Sequence, residues 1–234
     1  MGSIKENIDA VNKLKDELAV KSGRSAGDVM LCAVTKTRTA EEINKAIEAG
    51  ITDIGENKVQ EIMDKFDNVM QVRWHLIGHL QTNKVKYIID KVSMIHSVDS
   101  LKLAEEISKR AGQHNLTMDI LIQVNSAEEE SKFGIKTGET EQMIIDILQN
   151  CPNVKIKGMM CIAPFEDNPE DVRMYFAEVK QLYDRYAKIE HARLDFKYLS
   201  MGMSHDFGVA IEEGSNLIRV GTAIFGERDY GINR

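Results

Sequence analysis

Two patterns of hydrophobic positions alternate along this chain: short continuous apolar runs, and longer stretches in which apolar residues recur at helical spacing. The first stretch, with Ile4, Ile8, Val11, Leu14 and Leu18 on one face, predicts an amphipathic helix over about residues 4–22, placed to cap the fold or meet a partner. Leu31-Cys32-Ala33-Val34-Thr35-Lys36-Thr37 then reads as a strand buried on both faces that ends on a lysine. Thr39 offers an N-cap, Glu41 and Glu42 sit in the first turn, and Ile43, Ala46, Ile47 and Gly50 repeat at helical spacing.

The alternation continues to the end of the chain. Thr52–Gly55, Val72–Ile77, Ser93–Val98, Met118–Val124, Val154–Ile162, Phe196–Leu199 and Asn216–Val220 are expected strands. Helical stripes fall between them: Val59, Ile62, Met63 and Phe66; Leu80, Val85, Ile88 and Ile89; and Leu103, Ala104, Ile107 and Ala111 behind a Ser100 cap. Met143, Ile144, Ile147 and Leu148 stripe the next, Asp171 to Ile189 forms a long one, and Phe207, Ala210, Ile211 and Gly214 mark the last. The polar stretch Asn125 to Gly138 is the longest loop and is expected to be mobile. Eight strands alternating with helices argue for a parallel α/β fold, and eight is the number that closes a (β/α)8 TIM barrel, here with an extra N-terminal helix. Periodicity alone leaves an open doubly wound sheet as the alternative.

Composition narrows this picture. The 234 residues are 43% hydrophobic and 29% charged, with only three prolines and no linker, which suits one domain over residues 1–234. A net charge of -7 and a pI near 5.5 give no electrostatic footprint for nucleic acid or an anionic membrane, so neither is expected as a partner. Cys32, Cys151 and Cys161 lie in apolar contexts without a CxxC pair and read as buried thiols of a reducing compartment. No stretch has the length of a membrane span, and Met1 to Ala10 lacks the apolar core of a secretory signal, so a cytoplasmic protein is expected.

In a parallel barrel the C-terminal strand ends carry the chemistry, and here they collect Lys36, Gly55-Glu56-Asn57, His75, Asn125, Ser200 to Ser204 and Arg219 to Thr222. An amine at a low-dielectric rim is a candidate for Schiff-base chemistry, because desolvation disfavours the ammonium. The alternative for Lys36 is a solvated rim lysine pairing with Glu41 or Glu56. Ser200-Met201-Gly202-Met203-Ser204 running into a helix, and Gly221-Thr222 after the last strand, combine glycines for close approach with hydroxyl donors, where barrels hold phosphate. Together with a strand-1 lysine they describe a phosphate anchor opposite an amine, as a phosphorylated aldehyde cofactor requires. His75 and His79 are four apart but not on one helix face, which argues against a zinc pair and for a rim histidine. Trp74 reads as helix-side packing, Met201 and Met203 as methionines beside a ring, and Glu128-Glu129-Glu130 as a solvated run.

The chain resembles the pyridoxal-phosphate homeostasis protein family, single-domain relatives of the alanine racemase barrel. The matching runs are Ala33-Val34-Thr35-Lys36-Thr37, Gly55-Glu56-Asn57, Trp74-His75-Leu76-Ile77-Gly78-His79, Leu121-Ile122-Gln123-Val124-Asn125, Gly158-Met159-Met160-Cys161, Leu199-Ser200-Met201-Gly202-Met203-Ser204 and Arg219-Val220-Gly221-Thr222-Ala223-Ile224-Phe225-Gly226. The resemblance implies pyridoxal 5'-phosphate as a Schiff base on Lys36, its phosphate at Ser200, Ser204, Gly221 and Thr222, Arg219 facing the pyridine nitrogen, and Asn57 lining the ring with Met201 nearby. It departs from the family pattern at Thr35, where serine is usual, at Arg38 and Thr39, which replace a common proline, and at Lys58, where an aromatic is frequent.

Two functions follow from that resemblance. One is a carrier that buffers the cofactor and hands it to apoenzymes without turnover, as a monomer or weak homodimer. The other is a racemase, which needs two bases on opposite faces of the substrate; the chain ends at Arg234, short of the C-terminal domain that supplies the second base in two-domain relatives, leaving Tyr87, Tyr198 or Tyr230 as substitutes. An arginine at the ring nitrogen also weakens the electron sink, which favours the carrier. A phosphate-sugar enzyme on the same barrel would carry no chromophore.

Overall fold

The computed structural model describes residues 2–129 and 132–227. Its strands are β1 (Met30–Val34), β2 (Asp53–Glu56), β3 (Arg73–Leu76), β4 (Met94–Val98), β5 (Met118–Val124), β6 (Val154–Cys161), β7 (Leu194–Ser200) and β8 (Leu217–Val220). Every neighbouring pair is parallel, and β8 closes on β1 with Cys32 opposite Arg219, so the sheet is a closed eight-stranded barrel and the open alternative falls away. The helices are α1 (Ile4–Lys21), α2 (Ala40–Glu48), α3 (Val59–Lys65), α4 (Leu101–Gln113), α5 (Thr140–Asn150), α6 (Arg173–Tyr186), α7 (Phe207–Glu212) and α8 (Thr222–Phe225). Their starts follow the local chemistry: Ser3 with Glu6, and Thr39 with Glu42, form capping boxes that satisfy orphan amides of α1 and α2.

Each strand sends alternate residues to opposite faces. Leu31 and Ala33, Ile54, Trp74 and Leu76, Ile95, Ile120 and Ile122, Ile156, and Ile218 and Val220 pack with the helices in one continuous core. The inward positions split differently: Met94, Leu121 and Met160 form a small apolar cluster with Tyr198 against it, while Asp53, His75, His96, Ser200 and Arg219 are all buried and polar. At the β6 bulge Gly158 has φ +140°, and a Cβ there would lie 1.8 Å from Tyr198 O, so only glycine lets β6 and β7 close up.

Two expectations need correction. Leu80, Val85, Ile88 and Ile89 do not stripe an α-helix; the connection is a 3-10 turn, Thr82–Tyr87, because the gap from Leu80 to Val85 misses helical spacing and only one turn's worth of apolar residues remains to bury. The long helix starts at Arg173, after a 3-10 turn that Pro169 opens. In the described part of the loop after β5, Asn125 Nδ2 donates to Glu129 O at 2.9 Å, Ile135 N to Gln123 O at 2.9 Å, and Gln123 Nε2 to Phe133 O at 3.0 Å. Glu130 lies outside the described residues.

Because α8 is a single turn, α1 packs against α2, α7 and α8 and fills the part of the helical layer that a full eighth helix would cover. Asn7 Nδ2 donates to Ile224 O at 2.8 Å, and Arg24 just after α1 donates to Ser215 O at 2.7 Å. All three cysteines are buried; burial pushes the Cys161 thiol up to about 12 and Cys151 to about 11, so neither is a nucleophile at neutral pH. Among the described residues no helix is long and apolar enough to cross a membrane.

Candidate functional site

The lysine-bearing turn is held from outside the barrel. β1 ends at Val34, Thr35 N–H adds one more ladder bond to Gly55 O at 3.0 Å, and Lys36 follows, half-buried, in a turn rather than in the strand itself. Thr37 has φ +65°, a left-handed conformation that a β-branched residue keeps only where neighbours enforce it. Those neighbours come from α3. Glu61 Oε2 accepts the Thr37 N–H at 2.6 Å, and Lys65 Nζ reaches the same oxygen at 2.7 Å, Glu56 Oε1 at 2.8 Å and Thr35 O at 3.1 Å. The Thr35 hydroxyl also donates to Glu56 Oε1 at 2.8 Å, so the serine-to-threonine departure keeps a working donor. Burial raises the Glu56 pKa despite the opposing hydrogen bond and charge of Lys65, and Glu61 adds to the rise. Glu41, the other partner considered for Lys36, holds Lys45 at 2.7 Å. Arg38, at the position where proline is common, ties this loop to the chain after α8 by donating to Gly226 O at 2.5 Å.

Asn57 follows β2 and is half-buried. A Cβ on Gly78 would lie 2.4 Å from Asn57 O, so the loops after β2 and β3 touch there. Across the rim, Gly202 has φ +90°, and a Cβ would come within 2.7 Å of Phe207 Cα and Ala210 Cβ; glycine allows the sharp turn from β7 into α7. The loops after β7 and β8 then meet, with Gly221 N donating to Ser204 Oγ at 3.3 Å. Thr222 is exposed at the start of α8, whose first amides have no intrahelical acceptor. A Cβ on Gly221 would be 3.2 Å from Val34, two residues before Lys36, so the β8 loop abuts the turn that carries the lysine.

Ser200 and Arg219 lie below this rim, buried in the barrel. Arg219 Nη1 donates to Ser200 Oγ at 2.5 Å and Ser200 O at 2.8 Å, and Nη2 donates to Cys161 O at 2.8 Å. Burial lowers its pKa, with Cys161, Cys32 and Asp206 opposing, yet a guanidinium remains charged in proteins. The structure thus brings Lys36, Ser204, Gly221 and Thr222 to one rim and sets Ser200 and Arg219 beneath it. Met201 is not among them. Its side chain is fully buried in the helix-side core, its N–H bonds Leu217 O at 3.1 Å and its carbonyl accepts the Ser215 hydroxyl at 2.8 Å, because the odd position after Ser200 faces outward.

The candidate tyrosines and histidines have distinct surroundings. Tyr198 packs inside the barrel against the Met94 cluster, Tyr87 lies beside Lys84 and Lys86, and Tyr230 lies outside the described residues. His75 is not a rim residue; its position in β3 points inward, where Nε2 is 2.9 Å from Asp53 Oδ1 and Nδ1 is 2.8 Å from His96 Nε2. His79 instead stacks on Phe133 at 3.7 Å between ring centroids, with Nδ1 3.3 Å from Asp99. Asp53 and His96 escaped the sequence reading. A titratable residue at an inward parity of an apolar strand, in Asp53-Ile54-Gly55 and Met94-Ile95-His96-Ser97-Val98, was the available signal.

Comparison with known proteins converges on one group. The family model for the alanine racemase N-terminal domain matches residues 10–229. The pyridoxal phosphate homeostasis protein of Aquifex aeolicus is 42% identical over 96% of this chain and 98% of its own length. Among solved structures, an unknown protein from Bifidobacterium adolescentis superposes with a TM-score of 0.89 at 34% identity, covering 95% of this chain and 94% of that one. PipY of Synechococcus elongatus, solved with PLP bound, gives 0.77 at 31% identity, covering 91% of this chain and 100% of that one.

Proposed function

The chain belongs to the pyridoxal phosphate homeostasis protein family, and we propose that it binds pyridoxal 5'-phosphate at this rim and carries it without turning over a substrate. The observation that carries the reading is the meeting of the β8 loop with the β1 turn, which sets a lysine beside paired hydroxyl and amide donors with a buried guanidinium beneath. The donor set fits the group: the Ser204 and Thr222 hydroxyls and the Gly221 backbone suit a phosphate, and Lys36 suits an aldehyde. When bound, the cofactor supplies an aldehyde for an amine to condense with and a ring that accepts electrons. PLP in the PipY structure, at 31% identity, supports the same assignment.

Within this reading each residue has a task. Lys36 holds the cofactor covalently, and the Lys65–Glu56–Glu61 clamp keeps its turn in place. Ser204, Gly221 and Thr222 hold the phosphate, whereas the Ser200 hydroxyl, committed to Arg219, acts from below. Asn57 lines the ring. Arg219 keeps the ring nitrogen without a proton, since two like charges would otherwise meet in a dry site. Electron withdrawal is then weak, so a bound amino acid keeps its Cα proton. The protein thereby serves as a cytoplasmic reservoir whose recipients are PLP-dependent apoenzymes.

Loading the protein with pyridoxal 5'-phosphate, reducing with borohydride and mapping the mass by peptide should place the cofactor on Lys36, and Lys36→Ala should take up none covalently. Incubation of the loaded protein with L-alanine in deuterated buffer should show no Cα exchange by NMR. Labelling of another lysine would refute the site, and exchange at enzyme-like rates, about one per second or faster, would refute the carrier.

A further inference from the structure

Beneath the rim, an unbroken hydrogen-bonded column runs through the barrel interior from Arg219 on β8 to Asp53 on β2. Arg219 Nη1 donates to Ser200 Oγ; Ser200 Oγ is 3.2 Å from His96 Nδ1; His96 Nε2 is 2.8 Å from His75 Nδ1; and His75 Nε2 is 2.9 Å from Asp53 Oδ1. Asp53 also accepts Arg73 Nε at 2.7 Å, Arg73 Nη2 at 2.6 Å and the Thr52 hydroxyl at 2.7 Å. The five inner residues are at most 3% exposed, while the Arg73 side chain is 59% exposed at the N-terminal mouth. The column therefore spans the barrel from its solvent-facing bottom to the guanidinium under the rim.

Proton counting gives the column a direction. An arginine only donates, so Ser200 Oγ accepts from Arg219 and has one proton left to give. Asp53 is held ionised well below the usual carboxylate range: burial opposes this, but hydrogen bonds from His75, Arg73 and Thr52 outweigh it. His75 must then present Nε2–H to the carboxylate. One proton lies between His75 Nδ1 and His96 Nε2. If it rests on His96, both rings are neutral, His96 Nδ1 accepts the Ser200 hydroxyl, and every group is satisfied. If it rests on His75, that ring is a buried cation, His96 Nδ1–H must donate to Ser200, and the Ser200 proton loses its acceptor. Burial, with His75 and Arg219 nearby, holds the His96 pKa well below its usual value, so that ring is neutral in both placements and the Ser200 proton makes the choice.

We propose that Asp53 acts through His75, His96 and Ser200 as a positioning relay that fixes the Arg219 guanidinium, every hydrogen bond donating toward the carboxylate. Its bearing on the cofactor rests on the functional reading above. An apolar core would be no less stable, since replacing buried polar networks by packed hydrophobic residues is often neutral or favourable. The apolar cluster of Met94, Leu121 and Met160 in the same barrel shows that such filling fits here. What the column adds is a guanidinium held against rotation from the N-terminal mouth of the barrel, where Arg73 meets Asp53.

The test starts on the apoprotein. Histidine-labelled protein, read by long-range proton–nitrogen NMR at neutral pH, should show His75 and His96 both neutral with the proton on Nε2; a proton on Nδ1 of either ring overturns the relay. His96→Leu cuts the column, whereas His96→Gln can still accept from Ser200 and donate to His75. The leucine variant should lose the slow exchange of the Arg219 side-chain protons, weaken retention of pyridoxal 5'-phosphate about tenfold, as for one lost hydrogen bond, and shift the visible band of the loaded protein; glutamine should restore all three. A leucine variant with parental Arg219 signals, affinity and band overturns the proposal. Should it fail to fold, Ser200→Ala cuts the same column by one oxygen and is read the same way. A parent that takes up no cofactor refutes the functional reading alone, because the tautomers and the Arg219 signals still judge the relay.

Discussion

The two sides of the rim are held in opposite ways. The Lys36 turn is clamped from the helix side by ions, with Lys65 bridging Glu56, Glu61 and the Thr35 carbonyl. The anchor side is held by glycine turns and by hydrogen bonds running inward from Arg219 through Ser200 to the histidines. On the proposed function the difference matches what each side would have to do. A lysine that changed its covalent state would benefit from a strained turn that neighbouring charges can enforce, while a phosphate anchor would need fixed donors set on rigid strand ends.

The comparison breaks most visibly at Lys65. Lys65→Met should remove a cation hydrogen-bonded to Glu56 and leave a fully buried carboxyl facing Glu61. Breaking a buried ion pair from one side costs about 3–5 kcal/mol, so urea unfolding should show a loss of that order. Covalent uptake at Lys36 should fall with it, because Thr37 loses the order of its Glu61 partner. A variant as stable as the parent would mean that the clamp is ornamental and that the turn is held from the anchor side.

The anchor side breaks more gently. Ser204→Ala removes the hydroxyl that meets Gly221 N–H, and Thr222→Val removes the exposed one beside it. A charge-assisted hydrogen bond contributes about 1.5–3 kcal/mol, so either change should raise the dissociation constant for pyridoxal 5'-phosphate by about one to two powers of ten. Unphosphorylated pyridoxal should be held nearly as well as by the parent. Equal weakening of both ligands, measured by titration of the visible band, would move the phosphate off the β7–β8 loops.

The sequence disclosed these sides unequally. Lys36, Ser204, Gly221 and Thr222 were legible because strand parity and loop composition place them at strand ends, where a barrel gathers chemistry. Strand existence was legible too, with boundaries within a few residues, since most strands carry an apolar run; β2 (Asp53–Glu56) and β7 (Leu194–Ser200) are the mixed ones. The column is not: beside its sequence neighbours His75 reads as a rim residue, whereas the partners that define it, Asp53 and His96, lie on other strands. The Met201 side chain packs in the helix-side core for the complementary reason, as adjacency to Ser200 says nothing about which face a side chain takes. The clamp also escaped, because Lys65 and Glu61 look like any i, i+4 pair on a solvated helix until Glu56 is seen to be buried beneath them.

The finest test separates the two sides by pH. Glu56 has a folded pKa raised above its unfolded value, so its contribution is fully present below the unfolded value, about 4.3, and is lost as pH rises through the folded one. Asp53 has a depressed folded pKa, so its contribution is present above the unfolded value, about 3.9, and is lost as pH falls toward the folded one. Variant differences isolate each from the other carboxylates. The stability of the parent relative to Glu56→Gln should decline as pH rises above about 4.3, and relative to Asp53→Asn it should decline as pH falls below about 3.9. The opposite slopes follow from the opposite means of support: burial outweighs the ion pairs at Glu56, whereas hydrogen bonds outweigh burial at Asp53. Urea unfolding of the apoprotein across this range reads both. A Glu56→Gln difference that grew with pH would make Glu56 an ordinary ionised partner of Lys65, and a flat Asp53→Asn difference would remove the carboxylate from the end of the column.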